Sequence, residues 1–287
     1  IPFFEDVLIE DDSLSQFASY HLATTYLDLG KKSFALNAFK YASTLSFDLE
    51  MQEDAFFNYA KLVYEVDNTY DNAVESFQLY LEKYPDSDNA LTIRNLLINA
   101  YSSSKDYDSA LEFLNDLPKL SLDQKSIFQK ISYFKAINLF NAGELNSAID
   151  YFDLSLMNPM SDMYVSLCLY WKGEALYNLS DYYGANEFFK KFIYSSEAIQ
   201  LEEFNNAYYS IGYSDFQSKN YSEAIKWFRE YLGVSTDSLR SADANLRVGD
   251  AYFMKSNYSR AAAFYHAAEK INILDVDYAL YQQVICY

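Results

Sequence analysis

The sequence predicts an all-α chain of helical hairpins stacked in a row, and three observations carry that expectation. Gly 7 and Pro 4 among 287 residues are too few for the turns of a sandwich or a strand-rich nucleotide fold. Apolar residues, 51% of the chain, recur at spacings of three and four, the pattern of helices with one buried face. An alanine followed four residues later by a bulky, usually aromatic residue returns throughout the chain, at successive spacings of 38, 37, 38, 37, 39 and 37 residues.

The repeating pairs are Ala35 with Phe39, Ala73 with Phe77, Ala110 with Leu114, Ala148 with Phe152, Ala185 with Phe189, Ala224 with Phe228 and Ala261 with Tyr265. Nine residues before each alanine stands Tyr26, Tyr64, Tyr101, Leu139, Leu176, Asp215 or Tyr252, and three before that Ala23, Lys61, Ile98, Ala136, Gly173, Gly212 or Gly249. This register predicts a first helix, a short turn and a second helix in every unit. Helices are expected over 14–29 and 33–45 in the first hairpin and over 239–255 and 259–271 in the seventh. The small residue of the first helix and the alanine of the second let two backbones approach, and the bulky residue one turn later fills the space beyond. The turns carry helix-stop and cap chemistry: Gly30, Asp67-Asn68, Lys105-Asp106, Gly143, Ser180-Asp181, Lys219-Asn220 and Ser256-Asn257. Pro118 ends a short second helix, so the join over 115–123 is expected to be the weakest. Residues 275–287 read as the first helix of an eighth hairpin and 1–10 as the tail of a preceding second helix, as in a segment of a longer protein. One hairpin alone leaves too much apolar surface exposed to offset roughly 1–2 kcal/mol per residue of backbone entropy, so the stack is expected to fold through its neighbours.

At these residues the chain resembles the tetratricopeptide repeat family. A small residue, a tyrosine, an alanine and an aromatic stand in order as Ala23, Tyr26, Ala35 and Phe39, and again as Gly249, Tyr252, Ala261 and Tyr265. The family's late proline appears as Pro85, in Tyr84-Pro85-Asp86-Ser87, and approximately as Pro159. Lys61, Ile98 and Asp215 depart from the pattern, the early tryptophan is absent from its place, and the period exceeds the family's roughly 34 residues. The resemblance implies a right-handed α-solenoid of about seven and a half helix-turn-helix repeats, over 13–49, 50–86, 87–122, 123–160, 161–198, 199–236, 237–273 and a partial 274–287. It also implies a single array over 1–287. The long units and the Tyr-Pro-Asp-Ser ending look like the arrays of bacterial envelope proteins. That texture favours periplasm or cell envelope over cytoplasm and leaves the compartment open.

Charge and motif searches narrow the function. Lys+Arg 22 against Asp+Glu 41 gives −19, which repels phosphate backbones and anionic lipid alike, and no apolar run is long enough to span a bilayer. Cys168 and Cys286 lack metal or redox spacing, and His21 and His266 fall in hairpins that cannot share a site. No phosphate loop, HExxH, GxSxG or calcium-loop pattern occurs. A protein that is no enzyme, with no cofactor and no metal, is therefore expected.

The resemblance places the first helices on the concave wall, where the positions around the small residue form a surface rich in tyrosine and asparagine. The partner-binding candidates on it are Asn95, Asn99, Tyr133, Tyr170, Tyr177, Tyr209, Tyr213 and Phe216. Tyrosine supplies stiff, amphipathic contact area at low entropy cost, and an asparagine amide can bond both groups of a peptide backbone. The expectation is a protein–protein interaction scaffold for a neutral or basic polypeptide segment, since the basic residues of a clamp for acidic C-termini are missing. The alternative is a small-ligand or glycan-binding solenoid of a nutrient-uptake system, stacking sugar rings on Trp171, Tyr177 and Tyr213.

Overall fold

In a computed structural model that describes residues 11–66 and 70–287, every regular element is helical. The residues 1–10 and the turn over 67–69, for which a helix tail and a cap are expected, lie outside the described part. The chain forms two compact units, Ile1–Gln124 and Lys125–Tyr287.

The first unit contains the pairs α1 (Ser13–Asp28) with α2 (Lys32–Thr44), α3 (Leu49–Val66) with α4 (Tyr70–Lys83), and α5 (Ala90–Ser104) with α6 (Tyr107–Asn115). The second follows with α7 (Leu122–Asn141) and α8 (Leu145–Leu156), α9 (Asp162–Asn178) and α10 (Tyr182–Ile193), α11 (Glu203–Gln217) and α12 (Tyr221–Val234), α13 (Ser238–Met254) and α14 (Tyr258–Ile271), and a single α15 (Val276–Cys286). The expected helices of the first and seventh hairpins agree with the observed ones to within one residue. α6, at 9 residues, ends at Asn115, three residues before Pro118, and the two units divide within the first turn of α7.

The same local physics closes hairpin after hairpin. In six of the hairpins, the residue seven positions after the small-residue place turns left-handed, at φ 70 for Gly30, 61 for Lys105, 81 for Gly143, 64 for Ser180, 62 for Lys219 and 56 for Ser256. The next amide then bonds back to the end of the first helix: Lys31 N to Tyr26 O at 2.8 Å, Asp181 N to Leu176 O at 2.9 Å, Asn257 N to Tyr252 O at 2.9 Å. This is the bonding that ends a helix at a left-handed residue. Asp106 and Asp181 then accept the amides of Ser109 (3.2 Å) and Gly184 (2.9 Å), starting the second helix.

Packing explains the repeating pair of small and bulky residues. Three units have glycine on the first helix, and a Cβ there would stand 2.8 Å from the Phe189 ring at Gly173, 2.8 Å from Phe228 at Gly212 and 2.6 Å from Tyr265 at Gly249. The ring occupies the volume a side chain would need. Consecutive hairpins are also pinned by buried glutamines seven positions before the small residue. The Gln16 amide donates to Leu45 O (2.9 Å) and Asp48 O (2.8 Å) and accepts from Asp48 N (2.8 Å). The Gln129 amide donates to Ser161 O (3.1 Å) and accepts from the amides of Met160 (3.1 Å) and Ser161 (2.8 Å). Each pairs its own buried amide with backbone of the connection to the next hairpin.

Candidate functional site

Within the second unit, α9 and α11 are neighbouring first helices, and their facing residues form a cleft of about 230 Å³ lined by Glu174, Tyr177, Tyr209, Ser210 and Tyr213. Helical spacing explains the grouping. Glu174 and Tyr177 lie three apart on α9, and Tyr209 and Tyr213 four apart on α11, so each pair shares one face. All five side chains are half-buried.

The rings are fixed by their neighbours. Tyr209 and Tyr213 lie 4.9 Å apart between centroids, Tyr177 meets Tyr213 edge-on at 6.5 Å, and both α11 rings pack on Phe228, at 5.8 and 5.2 Å. The Tyr209 hydroxyl donates to Asp243 Oδ2 at 2.8 Å, and the Tyr213 hydroxyl donates to the same oxygen. Arg247 balances that carboxylate at 3.3 Å and reaches Asp250 at 2.6 Å. Burial, reinforced by the Asp243 carboxylate, raises both tyrosines above the ordinary phenol range, so they remain neutral donors at physiological pH.

Glu174 differs from Asp243. Its Oε1 accepts the Ser210 hydroxyl at 2.8 Å, and burial raises its pKa against the opposing hydrogen bonds from Ser210 and Tyr170. Arg240, the cation whose field also acts on it, is engaged elsewhere, with Asn206 at 2.5 Å and Asp237 at 3.8 Å. The cleft therefore combines aromatic walls with a carboxylate that has hydroxyl partners and no ion pair among the described residues.

The expected candidates separate into three groups. Tyr177, Tyr209 and Tyr213 come together in this cleft. Tyr133 and Tyr170, 8% and 7% exposed, lie in the packing between helices, Tyr133 against Phe152 and Tyr164 and Tyr170 against Phe189 and Phe192. Phe216 packs on Tyr221 beside the cleft. Asn95 and Asn99 belong to the first unit, where Asn95 accepts the Gln124 amide at 3.0 Å and Asn99 is exposed. Glu174, beside the small residue Gly173, and Ser210 and Asp243 are not among the expected contacts. Their signal is the register itself: Ser210 lies 36 residues from Glu174, and Asp243 lies 34 from Tyr209, about one repeat.

Other chemistry is sparse. Cys168 is buried, which pushes its thiol up to about 12. Among the described residues no group of His, Cys, Asp or Glu could hold a metal ion, and no helix is long and apolar enough to cross a membrane.

A family model for the tetratricopeptide repeat matches residues 54–87, the second hairpin with its Tyr-Pro-Asp-Ser ending. No curated protein matches the chain. Among solved structures, the C-terminal part of a TPR repeat-containing protein from Cytophaga hutchinsonii is 14% identical, over 92% of this chain and 98% of that one, with a TM-score of 0.50. A tetratricopeptide repeat protein from Parabacteroides merdae is 14% identical over 95% and 98%, with a TM-score of 0.40. YrrB, a TPR protein with an unusual peptide-binding site, is 20% identical over 72% and 97%, with a TM-score of 0.49. The Cytophaga structure is similar in fold. Residues 54–87 match the tetratricopeptide repeat, and with its repeating hairpins the chain has the helical-repeat fold of tetratricopeptide-repeat proteins.

Proposed function

We propose that this chain is a protein–protein interaction scaffold that holds an extended polypeptide segment on its first-helix faces, with the α9–α11 cleft as the principal contact of the second unit. It acts by binding and positioning, with no reaction of its own. The tetratricopeptide fold supports a scaffold for protein or peptide partners in general. The observation that carries the finer reading is the set of three tyrosines on neighbouring first helices, Tyr209 and Tyr213 held by Phe228 and Asp243 and Tyr177 set edge-on to Tyr213, while part of each ring stays accessible. Rings fixed before the partner arrives reduce the ordering cost of association. A net charge of −19 favours a neutral or basic segment over an acidic one.

The test is selection of a displayed dodecapeptide library on the full chain, repeated with a Tyr177→Ala, Tyr213→Ala double variant. The native chain should enrich a related set of sequences that the variant no longer retains, with its helical circular dichroism preserved. Peptides retained equally by both would place the binding surface elsewhere. Trp171 packs against Phe140 and Tyr170 at 5.3 and 5.4 Å, which leaves the sugar-stacking alternative without its best platform. Glycan-array binding without peptide enrichment would restore it.

A further inference from the structure

We infer that the α9–α11 cleft is a receptor for one cationic side chain of the bound polypeptide, a lysine ammonium or an arginine guanidinium, with Glu174 as counter-ion and Tyr177, Tyr209 and Tyr213 as walls. This rests on the polypeptide reading above and specifies the chemistry of one of its subsites.

Three observations converge. First, the two carboxylates near the cleft are treated differently by the fold. Asp243 is satisfied by two tyrosine hydroxyls and Arg247, whereas Glu174 has hydroxyl donors and no ion-paired base among the described residues. A half-buried carboxylate in that state gains from an incoming cation, which supplies the charge that lost solvation no longer does. Second, the walls suit the same ligand. Neutral tyrosine rings present their electron-rich faces to a cation, and the chain already uses this contact at the edge of the cluster, where the Arg240 guanidinium stands 5.8 Å from the Tyr209 ring centre. Third, a volume of about 230 Å³ suits one long side chain and its head group rather than a folded element. A neutral aliphatic side chain would fill the space and leave Glu174 uncompensated; an acidic one would oppose it.

The peptides recovered from the displayed library should share a lysine or arginine at one fixed position. Replacing that residue by norleucine should weaken binding to the native chain about tenfold, and to the Glu174→Gln variant by under about twofold. Glutamine keeps an oxygen acceptor for Ser210, so this variant is expected to fold. Tyr177→Leu, which removes one wall and keeps the carboxylate, should cost about threefold with the basic peptide. Enriched peptides with no recurring basic position, or equal losses against native and variant chains, would overturn the cation receptor and leave the scaffold reading standing. If no peptide is enriched, the scaffold reading fails, and butylammonium decides the subsite, with butanol as its neutral counterpart. Saturable shifts of tyrosine ring resonances with butylammonium alone, absent in Glu174→Gln, support the receptor; equal shifts with both compounds, or shifts that persist in the variant, exclude it.

Discussion

The first and second units each carry a cleft with negative charge, and they present it in opposite ways. In the first unit, an opening of about 590 Å³ is lined by Asp48, Glu50, Glu53, Asp54, Asp86 and Asp88, with Tyr20 at its side. Some of that charge is already answered from within: Tyr20 donates to Asp54 at 2.5 Å, and Tyr80 and Ser87 both donate to Glu53. Burial and the neighbouring Asp54 carboxylate hold the Tyr20 hydroxyl up at about 12. In the second unit, one carboxylate stands among three rings in less than half the volume. Many solvated charges create a field that falls off within a Debye length of salt, while one half-buried charge between rings recognises a single group at contact. The comparison separates attraction from recognition.

The largest effect should come from removing the support of the aromatic cleft. Phe228 is fully buried beneath Tyr209 and Tyr213, so Phe228→Ala is expected to cost about 3–5 kcal/mol in a denaturant titration. A loss below about 1 kcal/mol would show that the rings do not depend on it. Salt sharpens the contrast next. Association of a fluorescent octalysine with the chain should weaken at least about tenfold between 50 and 300 mM NaCl, whereas butylammonium binding at the α9–α11 cleft should change by about twofold or less. Equal salt slopes would mean that both clefts work by charge alone.

A third expectation follows from the raised pKa of Glu174. Because its folded value lies above the ordinary 4.5, its protonated form is the one the fold prefers. Its favourable contribution is complete below the unfolded value and is lost as pH rises through the folded one. Glu174→Gln should therefore melt a few degrees higher than the native chain above pH 7 and at the same temperature near pH 4. A variant less stable at neutral pH would show that the ionised carboxylate is already well served by its surroundings. The smallest effect concerns the turns. Ser180 and Ser256 hold the left-handed conformation that Gly30 and Gly143 adopt at the same place, so Ser180→Gly and Ser256→Gly should each stabilise by about 0.5–1 kcal/mol. No gain in thermal unfolding would mean that their side chains offset the backbone strain.

The fold was legible because each hairpin repeats the same local chemistry. Ala23 with Ala35 and Phe39, or Gly249 with Ala261 and Tyr265, marks helix, turn and packing partner within about twenty residues. The candidate site was legible in part. Tyr133, Tyr170 and Tyr209 share one place in the register, three residues before the small residue. The first two are buried while Tyr209 borders the cleft. A helical face with an apolar neighbour on one side and solvent on the other tolerates either outcome, because tyrosine is stable in both. Asp243 and Ser210 escaped notice because their partners are about a repeat away. Such pairs appear only once the offset between consecutive first helices is known. Gln16 and Gln129 were missed for a related reason, since a buried amide that satisfies connection backbone looks in sequence like an ordinary polar residue.

The glycines at 173, 212 and 249 have an evolutionary consequence. Since the ring of the following helix fills the place of a β-carbon, a larger residue at these three positions requires the facing ring to move, into a placement such as the one that lets Ala23 face Phe39 and Ala136 face Phe152 in other hairpins. In descendants of this chain, an alanine at 212 should therefore be found with a re-seated ring at 228, and residues larger than alanine there should be rare.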